Sequence, residues 1–206
     1  MERMEALTNY YTTHNEDARL TPKRGMVEFL TTIHYVEKYL KPGMRILEIG
    51  AGTGRYSHYF AQNGYDVAAV ELMECNIEVF KSNTKDGENI TVQQGDAVNL
   101  QNIASDQYDI TLLLGPMYHL YTDEDKLAAM SEAIRVTKKG GIVFAAYCNN
   151  DIFLRLCEII YRVSATPFTM VSVHIYNHFL QYSHSKQPFA KKSPRCISLC
   201  LSVLLD

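Results

Sequence analysis

The sequence predicts an α/β protein with a mostly parallel sheet that helices cover on both faces. Short apolar runs alternate with helical patterns between residues 23 and 147. Each run is apolar almost throughout, which is typical of strands buried on both faces of a parallel sheet. A glycine-rich turn joins the first apolar run to the next helical pattern. Sheets of this kind bind ligands at such turns.

The first predicted helix covers residues 23–40. Its apolar residues recur at helical spacing and form one buried stripe, which consists of Met26, Phe29, Leu30, Ile33, Val36 and Leu40. Pro42-Gly43 ends the helix, since neither residue favours its continuation. The apolar run at residues 44–47 then predicts the first strand.

The turn after this strand has glycine on alternate positions, at Gly50, Gly52 and Gly54, and is preceded by Glu48. Glycine lets the backbone turn sharply and lets a ligand contact the main chain. The helix predicted for residues 55–61 would present unpaired N–H groups and its positive dipole end to the turn. The segment therefore predicts a site for a nucleotide-type or carboxylate-bearing ligand.

The remaining elements continue the alternation of strands and helices. The pattern predicts strands at residues 65–70, 89–94, 110–114 and 142–147, with helices at residues 75–82 and 122–138. Thr122 and Asp125 have the spacing of a capping box at the start of the last helix. Gly140-Gly141 is predicted to close that helix, and Lys138-Lys139 to interact with the dipole at its C-terminus.

Two of these strands end in an acidic residue. Glu71-Leu72 follows the second strand, and Gly95-Asp96-Ala97 follows the third. A carboxylate at the end of the second strand can accept two hydrogen bonds from ribose hydroxyls. The two acids and the glycine-rich turn are expected to meet at one edge of the sheet.

The order of these features resembles the class I methyltransferases that use S-adenosylmethionine. The run from Glu48 to Gly54 is similar to their first motif, E-x-G-x-G-x-G. The dinucleotide fingerprint would instead require a small residue at position 55, where this chain has Arg55. The resemblance covers about residues 10–150. It implies a Rossmann-like, doubly wound, mostly parallel sheet whose antiparallel edge strand the C-terminal segment must supply.

The resemblance also implies S-adenosylmethionine as the cofactor, and no metal. The implied cofactor-binding residues are Glu48, Gly50, Gly52, Gly54, Glu71, Leu72, Asp96 and Ala97. The three glycines would line the methionine end of the cofactor, and Glu48 would help to orient it. Glu71 would take the ribose and Asp96 the adenine amino group, with a further bond from the backbone of Ala97. Glu71 is expected to contribute little to folding.

The methyl acceptor is expected beyond the fourth strand, at residues 114–120. The x-Pro-x-Tyr pattern there resembles the N/D-P-P-Y motif of methyltransferases that act on base amino groups, but Gly115 replaces the Asn or Asp. His119 is a candidate base, because histidine titrates near neutrality. It could equally be a loop histidine held by hydrogen bonds. Tyr118 is a second catalytic candidate or a pocket wall.

Charge and composition favour a small-molecule substrate in the cytoplasm. Acidic residues outnumber basic ones in residues 1–150, and a protein without a basic stripe binds nucleic acid poorly. No apolar run is long enough to span a membrane, and no apolar leader is evident. The five cysteines form no C-x-x-C pair, which favours reduced thiols in a cytoplasm.

Three regions are predicted within one domain. Residues 1–40 form a helical cap over the cofactor site, and residues 41–150 form the cofactor-binding core. Residues 151–206 are atypical, because the chain has 11 glycines and none of them follows Gly141. This segment has either diverged from the family or been read out of frame from about Asp151. Residues 168–175 and 196–204 are the candidates for its two closing strands.

The predicted function is methyl transfer from S-adenosylmethionine to a small molecule. Two alternatives stay open. An NAD-dependent oxidoreductase would share the strand, the turn, the helix and Glu71. A protein that binds S-adenosylmethionine without activity would result if the atypical segment left the fold incomplete.

Overall fold

The computed structural model describes residues 7–9, 23–146, 173–174 and 200–201. Its centre is a parallel five-stranded sheet with the strand order β3-β2-β1-β4-β5. The strands are β1 (Arg45–Ile49), β2 (Asp66–Glu71), β3 (Ile90–Gln94), β4 (Tyr108–Leu113) and β5 (Thr137–Ala145). The chain reverses its direction of winding between β1 and β4, which is where open α/β sheets form ligand crevices. The predicted parallel α/β sheet is confirmed.

Four helices connect or flank these strands. They are α1 (Lys23–Glu37), α2 (Arg55–Gln62), α3 (Glu74–Asn83) and α4 (Asp123–Val136), with a short 3₁₀ turn at Pro116–Tyr118. Thr122 caps α4 by accepting a hydrogen bond from the Asp125 N–H at 3.1 Å, as the capping pattern predicts. A further helical turn is described at residues 7–9.

Each face of the sheet has its own apolar core. On one face, Leu47 and Ile49 of β1 pack with Ala129 and Ala133 of α4. On the other face, the strand residues pack against α1 and α2 through Phe29, Ile33, Tyr56, Phe60, Ile46, Ile110 and Phe144. Ile46 and Leu47 therefore face opposite cores, as successive residues of a strand do. The central strands β1, β2 and β4 are buried on both faces, which explains their almost continuous apolar sequence, whereas no residue of the edge strand β3 is buried.

The junction between α4 and β5 differs from the prediction. The helix ends at Val136 and β5 begins at Thr137, so Lys138 lies in the strand and not at a helix terminus. The Lys138 ammonium lies 2.9 Å from both carboxylate oxygens of Asp109 on β4. The pairing of β4 with β5 shifts its register between Tyr108 and Ile110. A Cβ on Gly141 would lie 2.8 Å from the Asp109 carbonyl oxygen, so glycine permits this close approach.

In the C-terminal segment the structure describes one short antiparallel pair, β6 (Val173–His174) with β7 (Cys200–Leu201). These residues fall within the two predicted closing strands. The rest of both strands, the predicted end of β5 at Tyr147 and most of residues 151–206 lie outside the described residues. Among the described residues, no helix is both long and apolar enough to cross a membrane.

Candidate functional site

A cleft of about 500 Å³, including the part open to solvent, lies where β1, β2, β3 and β4 end. Six residues that the sequence singled out contribute to its wall: Gly50, Glu71, Leu72, Asp96, Ala97 and His119. They follow four different strands, and the parallel sheet brings them to one edge. Leu7, from the helical turn at residues 7–9, also lines the cleft.

Gly50 closes one side of the cleft by allowing two loops to touch. Its φ is +72°, and a Cβ there would lie 2.5 Å from Cδ of Pro116. A Cβ on Gly115 would in turn lie 3.0 Å from the Gly50 carbonyl oxygen. The loops after β1 and β4 therefore meet backbone to backbone. A side chain at Gly50 would push Pro116 and the residues after it away from the site.

Gly54 serves a different purpose from Gly50. Its φ is +87°, and a Cβ there would lie 2.4 Å from the Phe80 ring and 2.9 Å from Nε2 of His58. Gly54 is also the N-cap residue of α2. The structure thus gives this glycine a packing role between α2 and α3. Its predicted contact with the methionine end of a cofactor, like that of Gly52, stays a prediction.

Glu48 holds the start of α2. Its side chain is only 3% exposed, and its Oε2 accepts hydrogen bonds from the backbone N–H and the hydroxyl of Ser57. Because Gly54 has no side chain to cap the helix, the carboxylate of Glu48 satisfies an N–H of the first turn instead. The predicted effect of Glu48 on ligand orientation stays a prediction.

The Glu71 carboxylate accepts three hydrogen bonds from the protein, which the sequence did not predict. The residue is 4% exposed. Its Oε2 accepts from the Gly52 N–H at 2.7 Å, and its Oε1 accepts from the Met73 N–H at 2.9 Å and from Asn76 Nδ2 at 3.2 Å. These hydrogen bonds argue against the expectation that Glu71 contributes little to folding, because three donors would lose their acceptor without it. Asn76 was missed, since its sequence position gives no sign of this contact.

The turn that contains Asp96 and Ala97 has a hydrogen bond of its own, and α4 holds the loop that follows it. Asp96 Oδ1 accepts from the Val98 N–H at 3.3 Å. Farther along, Arg135 of α4 donates to the carbonyl oxygens of Leu100 and Ile103 at 2.9 and 2.8 Å. Sequence reasoning missed Arg135, because its partners lie more than thirty positions earlier.

Glu132 completes this attachment of α4 to the loop. It accepts a hydrogen bond from the Leu100 N–H at 2.6 Å and a second from Arg135 Nε at 2.7 Å. The hydrogen bond with Glu132 raises the pKa of the Arg135 guanidinium, and the same bond lowers the pKa of the Glu132 carboxyl. Both groups are therefore charged at neutral pH, and the loop that leads away from Asp96 is held by charge-assisted bonds.

The two catalytic candidates, His119 and Tyr118, lie in different surroundings. His119 lines the cleft. Its backbone N–H donates to the Pro116 carbonyl at 2.9 Å, and this bond ends the 3₁₀ turn. Tyr118 instead packs against the apolar core that contains α1 and α2. His119 is thus placed to meet a ligand in the cleft, whereas Tyr118 supports the wall behind it.

A second buried polar group lies beneath the glycine-rich turn. His58 Nδ1 is 2.6 Å from Oε2 of Glu88 and its Nε2 is 3.2 Å from the Phe80 carbonyl. Burial alone would raise the pKa of the Glu88 carboxyl, but hydrogen bonds from Gln62 and His58 outweigh burial and lower it. The sequence pattern assigns no role to His58, whereas in the structure it links α2, α3 and the loop before β3.

Comparisons with known proteins agree with this geometry. The family described as "Methyltransferase domain" matches residues 46–141, which include β1 from its second residue, β2 to β4 and every cleft residue except Leu7. The chain is 27% identical over 112 residues to the glycine/sarcosine N-methyltransferase of Aphanothece halophytica, covering 53% of this chain and 42% of the relative. It is 33% identical over 113 residues to the demethylmenaquinone methyltransferase of Renibacterium salmoninarum, covering 54% and 44%. The chain therefore spans less than half the length of either relative.

A solved structure with the same fold is phosphoethanolamine N-methyltransferase 1 of Haemonchus contortus, in complex with phosphoethanolamine and S-adenosylhomocysteine. It matches with a TM-score of 0.59 and 20% identity, over 72% of this chain and 33% of that one. At this identity the likeness establishes the fold alone.

The fold and the cleft define an α/β domain with a cleft at the carboxyl edge of its parallel sheet. The match of residues 46–141 to the methyltransferase-domain model supports the resemblance to the class I S-adenosylmethionine-dependent methyltransferases. S-adenosylmethionine is the cofactor. The chain fits that group: the cleft offers the buried carboxylate of Glu71 for hydroxyls, the apolar side chains of Leu72, Ala97 and Leu120, and Gly50 of the glycine-rich turn.

Proposed function

We propose that this protein transfers a methyl group from S-adenosylmethionine to a small-molecule acceptor. The observation that carries the proposal is the convergence of Gly50, Glu71, Asp96 and His119 on one cleft from four strand ends. Three of these residues match the family's cofactor motifs. The fourth stands where the methyl acceptor is expected.

Each part of the cleft has a proposed task. Glu71 binds the ribose and Asp96 the adenine amino group, with a further bond from the backbone of Ala97, and Leu72 lines the same part of the cleft. The bound cofactor supplies a methyl group that is already activated by its sulfonium. The protein then needs to align the acceptor with that methyl group and to exclude water from it. The contact between Gly50 and Pro116 fixes the distance between the cofactor side and the acceptor side.

The acceptor site is proposed at the residues that follow β4. His119 faces the cleft and takes a proton from an acceptor hydroxyl or amine. The relatives are named for different acceptors, glycine or sarcosine in one case and demethylmenaquinone in the other. Their names support methyl transfer to a small molecule, and the acceptor of this chain is not carried over from them.

The proposed helical cap of residues 1–40 receives support from one contact. Leu7 lines the cleft and is buried. By contrast, α1 packs on a face of the sheet through Phe29 and Ile33. The cap over the cofactor is therefore proposed for the segment near Leu7, and α1 is assigned to the core.

Titration calorimetry tests the cofactor assignment. S-adenosylmethionine or S-adenosylhomocysteine should release binding heat, whereas NAD should not. Heat from NAD alone would replace the assignment with that of an oxidoreductase. NAD is not expected to bind, because Arg55 occupies the position where the dinucleotide fingerprint has a small residue.

Methyl transfer from labelled S-adenosylmethionine to a panel of small amines and phenols tests the activity. His119→Gln should keep the binding heat and lower transfer by about 100-fold, the usual contribution of a general base. Tyr118→Phe is the matched control and should transfer normally. Binding without transfer across a broad panel would favour the alternative of a binding protein without activity.

A further inference from the structure

The turn that carries Asp96 is short and is anchored at both of its ends. At its start, the Gly95 N–H donates to the Glu71 carbonyl of β2 at 3.0 Å. At its end, Leu100 is 3% exposed and belongs to the same apolar core as α4. Only four residues separate Gly95 from Leu100. The place of the Asp96 side chain in the cleft therefore depends on both anchors.

Arg135 of α4 makes most of the second anchor. Every N–H donor of its guanidinium has an acceptor. Nε and Nη2 donate to the Glu132 carboxylate at 2.7 and 2.8 Å, and Nη2 also donates to the Leu100 carbonyl at 2.9 Å. Nη1 donates to the Ile103 carbonyl at 2.8 Å and to the Ser105 hydroxyl at 3.3 Å. A lysine ammonium is a single point charge and cannot reach these separated acceptors together.

The anchor is itself firmly held. Glu132 Oε2 accepts from the Leu100 N–H at 2.6 Å, so both backbone groups of Leu100 are bonded to side chains of α4. The Arg135 carbonyl accepts from the Asp106 N–H at 3.0 Å, and β5 begins at Thr137. Leu100 cannot leave its place without breaking bonds to a helix that continues directly into the sheet.

We propose that Arg135, together with Glu132, is a positioning residue for recognition of the cofactor's base. It acts through Leu100 on the turn that carries Asp96, and it touches no part of the ligand. This inference rests on the proposed function, since it concerns the same cleft.

The anchor has a consequence for base specificity. Asp96 is proposed to accept a hydrogen bond from the adenine amino group. Hypoxanthine has a carbonyl oxygen at that position, which cannot donate to a carboxylate. If the second anchor is loosened, the Asp96 carboxylate occupies a range of positions and meets the amino group less often. The preference for adenine should then fall.

The test compares S-adenosylhomocysteine with S-inosylhomocysteine by titration calorimetry. The native protein should bind the inosyl analogue about tenfold or more weakly, the loss of a hydrogen bond to a charged group. Arg135→Lys should narrow this difference to about threefold or less, because the adenine ligand loses affinity and the inosyl ligand does not. A merely structural role for Arg135 would lower the stability of the protein and leave the ratio of affinities unchanged.

Arg45→Lys is the matched control. Arg45 also has its Nε 2.7 Å from a carboxylate, that of Asp66, but lies at the opposite edge of the sheet, so this variant should keep the native ratio. Glu132→Gln serves as a second variant if Arg135→Lys folds poorly. It removes the charge that orients the guanidinium and should give an intermediate ratio. A native ratio in the Arg135 variant, or in Glu132→Gln where that variant replaces it, would overturn the inference, as would equal affinities of the native protein for both ligands.

Hydrogen exchange without ligand separates this inference from the proposed function. The N–H groups of Val98 and Asn99 both donate to Asp96, at 3.3 and 2.9 Å. Arg135→Lys should speed their exchange by about tenfold, while the Ile110 amide in the buried strand β4 exchanges as in the native protein. Unchanged exchange at Val98 and Asn99 would overturn the inference and leave the proposed function intact. No binding of S-adenosylhomocysteine by the native protein would overturn both.

Discussion

At the amino edge of the sheet, charged side chains pair with each other, whereas at the carboxyl edge buried carboxylates accept hydrogen bonds mainly from the backbone. Arg45 and Asp66 form an ion pair at 2.7 Å with side chains that are 41% and 42% exposed. Glu48 and Glu71, at the other ends of the same two strands, are 3% and 4% exposed. The amino edge neutralises its charge among its own side chains. The carboxyl edge instead buries its carboxylates, and Glu71 lies in the wall of the cleft, where a polar ligand can reach it.

The glycines differ between the two edges in the same way. Gly64 precedes β2 with a φ of +86°, and a Cβ there would meet nothing within 4 Å. Gly54 follows β1 with a φ of +87°, and a Cβ there would collide with Phe80. Backbone conformation alone explains the glycine at the amino edge. At the carboxyl edge the lack of a side chain is needed for close packing as well.

Replacing these two glycines should give the largest difference between the edges. Gly54→Ala should cost about 3–5 kcal/mol, because a left-handed backbone penalty adds to overpacking. Gly64→Ala should cost about 1–2 kcal/mol, since only the backbone penalty applies. Urea unfolding of both variants measures the free energies. Equal costs would show that the packing of Gly54 against Phe80 has no energetic importance.

Glu71 provides the second test, on the stability of the carboxyl edge. Glu71→Ala should destabilise the protein by about 3 kcal/mol, because the N–H groups of Gly52 and Met73 and the amide of Asn76 lose their acceptor. Glu71→Gln keeps an acceptor oxygen and should cost about half as much. Chemical unfolding without any ligand separates this effect from cofactor binding. A loss below about 0.5 kcal/mol for the alanine variant would restore the expectation drawn from the sequence.

The third test concerns Asp109, whose charge contributes to stability at the amino edge of the sheet. Burial would raise the pKa of its carboxyl, but the hydrogen bonds from the Arg45 N–H and from Lys138 outweigh burial and lower it. A lowered pKa contributes stability that is fully present above the unfolded-state value, near 3.9, and is lost as the pH falls through the folded-state value. Asp109→Asn should therefore cost about 1 kcal/mol at neutral pH, since the pair with Lys138 is partly exposed.

The difference between native protein and Asp109→Asn should shrink as the pH is lowered through the acid range. Thermal or urea unfolding at a series of pH values from about 3 to about 7 follows it. A difference that stays constant over this range would mean that the Asp109 charge is not the source of the stability.

The sequence predicted most of what backbone geometry and periodicity determine. The five parallel strands follow from apolar runs, and the glycine-rich turn follows from a conformation that other residues rarely adopt. The junction of α4 with β5 was predicted wrongly, because Gly140-Gly141 has the pattern of a helix terminator. In the structure, the pairing of Lys138 with Asp109 and the register shift of β4 against β5 decide that junction.

Within the site, the residues that a motif names could be predicted, and their supports could not. Glu71 and Asp96 stand at strand ends, where a parallel sheet collects its ligand groups. Asn76, Arg135 and the pair of His58 with Glu88 act through contacts that the fold creates between distant positions. A single polar residue in a helix gives no signal of such a contact. Its role depends on which element packs against that helix.

The central claim is that the carboxyl edge binds the cofactor through Glu71, and β2 offers a matched pair of acids to test it. Calorimetric titration with S-adenosylhomocysteine should show that Glu71→Gln binds about tenfold or more weakly than the native protein, the loss of a hydrogen bond to a charged group. Asp66→Asn, at the opposite end of the same strand, should bind with native affinity. Equal affinities for the two variants, or a loss only in Asp66→Asn, would contradict the account.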